Sequence, residues 1–325
     1  VDDEGKIMVE DDLPTAQVQF ESVSETLVEL VTSSPLPEFL LVCIKLATAI
    51  AKSPQNVTLV ITGDFVKSTK DRLRDTEAAR SFNLLRGEGL VAGKTIHDGD
   101  GSSVLLRADI FEKALDYETN PDAAFLFLRT LVHEMNHVSI YQRGESSRSN
   151  ENDSWKTLNL TSAAAAIIDE YRAELGSLRR LSTDESNWNP SEIVAWLEDA
   201  LIKVVTSYQV HRDVNRLVFE VGSQVLIALK QMAYCVAYET VASAELPLDT
   251  RGLRYMNTRE NLSAWLSEFR TLLNSLPSGE YALSRESEQE ARLKMAALLD
   301  EQLRILGFDW DEPMFHIRSD LLALI

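Results

Sequence analysis

Apolar residues along this chain recur at two periods, and the changes between them mark out its elements. Residues 17–33 carry helix-like apolar spacing that stops at Ser-Ser-Pro-Leu-Pro. Pro37 suits the first turn of a following helix over 37–52. Residues 56–65 (NVTLVITGDF) alternate and are rich in β-branched side chains, which predicts a strand. A charged, helix-compatible stretch (67–85) leads into the Gly-rich segment 86–101, read as loop or hairpin. A second strand is expected over 102–110. Pro121 and Asp122 then suit the start of a long helix over about 120–142.

Beyond a polar loop at 143–154, a strong helical pattern covers 157–181 and breaks at residues 182–190. Everything after Pro190 reads as helix, at about 191–210, 212–245, 258–275, 284–306 and 312–324. The 212–245 segment is apolar on most faces, which predicts a buried core helix or, second, an oligomer interface. The fold class expected is α+β and predominantly helical. Three regions follow: an acidic N-terminal arm and helix (1–36), a mixed core with a small sheet (37–182) and an all-helical C-terminal domain (183–325).

Composition narrows the setting. A chain of 325 residues with 45% hydrophobic content can bury one large core or two ordinary ones. The net charge of −19 argues against nucleic acid and anionic membranes as partners. Nine of the first 30 residues are acidic and one is basic, which predicts a solvated arm. The two cysteines, Cys43 and Cys235, lie in apolar segments and read as buried thiols. No run of 18 apolar residues occurs and no signal peptide is visible. The expected location is the cytoplasm, or outside it by secretion or translocation without a visible signal. Oligomeric state is left open.

The chemistry concentrates at His133-Glu134-Met135-Asn136-His137, an H-E-x-x-H motif that uses two of only five histidines. From this composition the motif is expected by chance on the order of 0.01 times. On a helix, histidines four residues apart share a face and can bind one Zn²⁺ from the same side. Glu134, about a third of a turn away, stands where a general base belongs. Two weaker patterns dissolve on inspection. The Gly93-Lys94-Thr95 run has Glu88 where a phosphate loop needs glycine, and Asp98-Gly99-Asp100-Gly101 reads as a plain turn.

A zinc site needs a third protein ligand and an open position. Arg143 stands where a third histidine would complete the longer H-E-x-x-H-x-x-G-x-x-H pattern, so carboxylates are the candidates. Glu151 and Asp153 lie in a polar loop; Asp169, Glu170 and Glu174 lie on the next helix. Glu170 and Glu174 share a face one turn apart. Glu170 is expected as the ligand and Glu174 as an acceptor for a histidine N–H; Glu174 as ligand is the alternative. Alanines 163–166 and 173 would let this helix approach a neighbour closely.

H-E-x-x-H followed by Glu170 and Glu174 on a downstream helix resembles the gluzincin metallopeptidases. The four-residue step from Glu170 to Glu174 is similar to that of thermolysin-like members. The gap from His137 to Glu170 is closer to that of clostridial neurotoxin light chains. Glu170-Tyr171-Arg172-Ala173 resembles the E-x-x-A helix of ImmA/IrrE-like peptidases. The resemblance, over roughly residues 38–180, implies a zincin-like core and a zinc-dependent peptidase with one Zn²⁺ per chain. It implies His133, His137 and Glu170 as ligands, Glu134 as base and a peptide or protein as substrate. It further implies an edge strand that pairs with an extended substrate, for which 102–108 is the candidate. An oxyanion donor is expected among His211, Tyr238, Tyr171 and Arg172, with His211 ranked first. The competing reading is a non-catalytic binding or regulatory protein on the same scaffold, against which an intact Glu134 argues.

Overall fold

A computed structural model describes residues 16–325 except 34, 75, 77–78, 80–81, 83, 87–88, 146–152 and 184–185. Glu88, Glu151 and most of the acidic arm therefore lie outside the described residues. The fold is α+β and mostly helical, 64% of it, with a small mixed sheet. The chain forms two compact units. One takes Val1–Leu84 and Val91–Gln142; the other takes Leu85–Leu90 and Arg143–Ile325.

The first unit is built on a four-stranded sheet. Its elements are β1 (Gln17–Glu21), α1 (Glu25–Thr32), α2 (Glu38–Ile50), β2 (Val57–Thr62) and α3 (Phe65–Leu73). The short hairpin β3 (Leu85–Arg86) and β4 (Gly89–Leu90) intervenes in sequence. Then come β5 (Gly93–Asp98), β6 (Gly101–Arg107), α4 (Ala108–Leu115) and α5 (Pro121–Gln142). The strand order is β1-β2-β6-β5, with β1, β2 and β6 parallel and β5 antiparallel. β2 is buried almost throughout because helices cover both sheet faces. Val60 and Leu105 pack with Phe65 of α3, Phe82 and Ile96 on one face. Helices α2, α4 and α5 cover the other, where Phe20, Phe39, Phe111 and Phe127 form a cluster of tilted rings 5.1–6.0 Å apart.

Two expectations change here. The 17–33 segment is a strand and a short helix rather than one helix. QVQFE alternates and pairs with β2, and Ser24 caps α1 by accepting from the Leu27 N–H. The Gly-rich segment meets the hairpin expectation, since β5 turns through Gly99 (φ +57°) and Asp100 into β6. Strand 102–108, expected at the edge, is interior: β6 has β2 on one side and β5 on the other. The edge beside the motif helix is β5, and no described strand pairs with its outer side.

The second unit is a helical assembly: α6 (Trp155–Arg180), α7 (Pro190–His211), α8 (Val214–Ala242), α9 (Met256–Asn274) and α10 (Arg285–Ile305). It ends in a hairpin, β7 (Phe308–Asp311) and β8 (Met314–Ile317), and α11 (Ser319–Leu322). Of the helix expected over 312–324 only the four residues of α11 are helical, and β8 takes the preceding part. The alternation of the hairpin buries Phe308 and Trp310 and leaves Asp311 and Met314 exposed. α6 makes its most extensive contact with α8. This helix, expected from sequence to belong to the mixed core that runs to residue 182, is thus in the same compact unit as the C-terminal helices. By length and composition α8 could cross a membrane, but 56% of its most apolar window is buried within the protein.

Candidate metal centre

Helix α5 carries the motif. Pro121 opens it, and Asn120 accepts from the Ala123 N–H ahead of it at 3.4 Å. Phe127, Leu131, Val132, Met135, Val138 and Ile140 bury its apolar face. At its far end the Gln142 amide accepts from the Ser53 N–H and donates to the Ser53 carbonyl, at 2.9 and 3.0 Å. Both ends are therefore fixed, and so is the rotation of the helix about its axis.

That rotation leaves His133 and His137 half-buried among fully buried neighbours. Their Nε2 atoms lie 3.2 Å apart, with the rings 5.0 Å apart and edge to face. Two imidazole nitrogens, each about 2.0–2.1 Å from one tetrahedral Zn²⁺, stand roughly 3.3–3.4 Å apart. The pair therefore fits a shared zinc ion without a change of side-chain rotamer.

Glu134 is buried against β5. Its Oε2 accepts from the Thr95 hydroxyl at 2.7 Å, and the same hydroxyl lies 3.0 Å from the Glu134 carbonyl oxygen. Gly93 provides the room: a Cβ there would lie 2.7 Å from Thr130 Cγ2 and 2.9 Å from Glu134 Cγ. The alternation of β5 puts Gly93, Thr95 and His97 on the face toward α5. His97 stacks on Tyr141 with centroids 3.7 Å apart and rings within 5° of parallel. The Tyr141 hydroxyl donates to the Gly99 carbonyl at 2.7 Å. Burial, with the charges of His137 and Lys94 beside it, lowers the His97 imidazole to about 4. It is neutral at physiological pH and shares a 2.9 Å hydrogen bond with Ser102.

The downstream acids belong to α6. Glu170 accepts from Lys230 Nζ at 2.9 Å and from the Tyr234 hydroxyl at 2.6 Å. Glu174 is buried one turn further on. The expected oxyanion donors fare differently. His211 closes the α7–α8 turn, its Nδ1 accepting from the Asp213 N–H at 2.9 Å. The Tyr171 hydroxyl lies with Thr240 and Asn274 in the helical core. Arg172 is 1% exposed and is consumed by Glu145 and the carbonyls of Pro277 and Tyr281. Tyr238 is half-buried against the helical core.

The sequence reading missed Thr95, Gly93, Lys230 and Tyr234. For β5 the alternation of Thr95, Ile96 and His97 was a usable signal, masked by flanking glycines. Lys230 and Tyr234 offered only a one-turn spacing within an apolar helix. Comparison of the chain with protein families, curated proteins and solved structures yields no match.

Proposed function

We propose that the chain is a zinc-dependent metallopeptidase with a zincin-like core, in which His133, His137 and Glu170 hold the metal and Glu134 is the general base. The observation that carries the reading is the 3.2 Å separation of the two histidine Nε2 atoms on one helix, with the intervening glutamate anchored alongside. A single antiparallel edge strand along the motif helix supports the core assignment. The donor set of two imidazoles and a carboxylate suits Zn²⁺ and leaves a position open.

Bound there, a zinc ion supplies Lewis acidity, making a water molecule more acidic and polarising the scissile carbonyl. Glu134 would take a proton from the attacking water as its oxygen adds to the carbonyl carbon, and would pass that proton to the amine nitrogen as the C–N bond breaks. Thr95 keeps one carboxylate oxygen of Glu134 fixed while the other remains for proton transfer. The outer edge of β5 offers backbone N–H and C=O groups to an extended peptide, which aligns the substrate by strand addition. His211 has no step in this scheme.

Glu134→Gln preserves the shape of the site and removes the base. Incubated with a mixed peptide library, the zinc-loaded protein cleaves, and Glu134→Gln loses at least about a hundredfold in rate with its zinc retained. Equal cleavage by both proteins would overturn the assignment of Glu134. Zinc binding with no cleavage by the wild type would favour a binding protein on this scaffold.

A further inference from the structure

Glu170 is held at both carboxylate oxygens by one neighbouring helix. Lys230 Nζ donates to Oε1 at 2.9 Å and Tyr234 Oη donates to Oε2 at 2.6 Å. Both distances fall in the range of hydrogen bonds to an ionised acceptor, and the tyrosine bond is a short one. The two donors stand one turn apart on α8, so a single helix face supplies both. The Tyr234 ring packs beside Trp188, 5.6 Å away and tilted by 40°. The side chains of Glu170 and Lys230 are 17% and 29% exposed, so water does not fully screen the pair.

An ordinary ion pair between packed helices needs only one of these donors. Two donors, one per oxygen, fix the plane and the reach of the carboxylate. They also spread its charge before any metal arrives. A carboxylate that binds a metal through one lone pair keeps the others for hydrogen bonds, and such partners orient the ligand. We propose that Lys230 and Tyr234 are positioning residues that set the metal affinity of the site by clamping Glu170 in its ligating geometry. The inference rests on the reading of Glu170 as third ligand.

The experiment measures zinc affinity by competition with a chromogenic chelator, and the visible absorption of the Co²⁺-substituted protein, for the wild type, Tyr234→Phe, Lys230→Met and Lys230→Arg. Thermal melts of the metal-free proteins report folding. Tyr234→Phe and Lys230→Met should each weaken zinc by roughly 10–100-fold and shift the cobalt bands, whereas Lys230→Arg should recover much of the loss. Unchanged affinity and cobalt spectrum in both folded variants, even with lowered melting temperatures, would reduce the clamp to a structural contact and overturn the proposal. Should either variant fail to fold, Lys230→Gln and Tyr234→Trp read the same two quantities. Absence of metal binding by the wild type would instead remove the underlying assignment, and the clamp with it.

Discussion

Glu134 sits in a corner with little freedom. On one side is Thr95, whose hydroxyl reaches both the carboxylate and the backbone carbonyl of the residue it positions. On another is Gly93, where even a methyl group would meet Glu134 Cγ at 2.9 Å. A hydrogen bond to a charged group is worth about 1.5–3 kcal/mol, or roughly 10–100-fold in rate if it is fully expressed in the transition state. Thr95→Val keeps the volume and removes the donor. Its cleavage rate should fall by about tenfold or more, with zinc content unchanged, and Thr95→Ser should restore most of it. A wild-type rate in Thr95→Val would show that the hydroxyl does not hold the base. These residues come from separate parts of the chain. The motif itself is legible in sequence because one helix turn brings its three side chains together. The Thr95–Glu134 contact depends on tertiary pairing, which leaves no local pattern.

At the scale of elements, helix α6 is anchored by a buried ionic knot. Arg172 pairs with Glu145 at 2.6 Å, and Glu145 also accepts from Arg143 and the Leu283 N–H. Arg172 and Arg143 between them bind four carbonyls at Pro277, Gly279, Glu280 and Tyr281. The 277–283 loop is thus tied to α6 two residues from Glu170. Arg172→Met removes one of the two guanidinium groups on Glu145 together with the donors to the Pro277 and Tyr281 carbonyls, and should cost about 3 kcal/mol or more in urea unfolding. A variant as stable as the wild type would show the knot to be energetically idle. The long helices were readable because their apolar periods run for four or more turns. β1 was not, because its five residues run directly into α1 and the joint apolar spacing imitates one helix. β7 and β8 were hidden similarly, by four-residue strands that follow α10 closely and alternate for too short a span.

For the whole molecule, two compact units divide the chain near Gln142, well before the boundary that composition suggests at 182. The reason is packing: the apolar face of α6, including Ile167, Ile168, Leu175 and Leu178, belongs to the helical core with α8 and α10. Composition exposes charge and overall helicity but not which helices share a core. The proposed activity depends on metal. The most direct measurement is zinc content per chain, by elemental analysis after dialysis against a weak chelator, in the wild type and in His133→Ala/His137→Ala. About one zinc per wild-type chain is expected, with loss of it in the double variant. A wild-type chain that takes up no zinc, or a double variant that keeps it, would overturn the assignment of His133 and His137 as metal ligands.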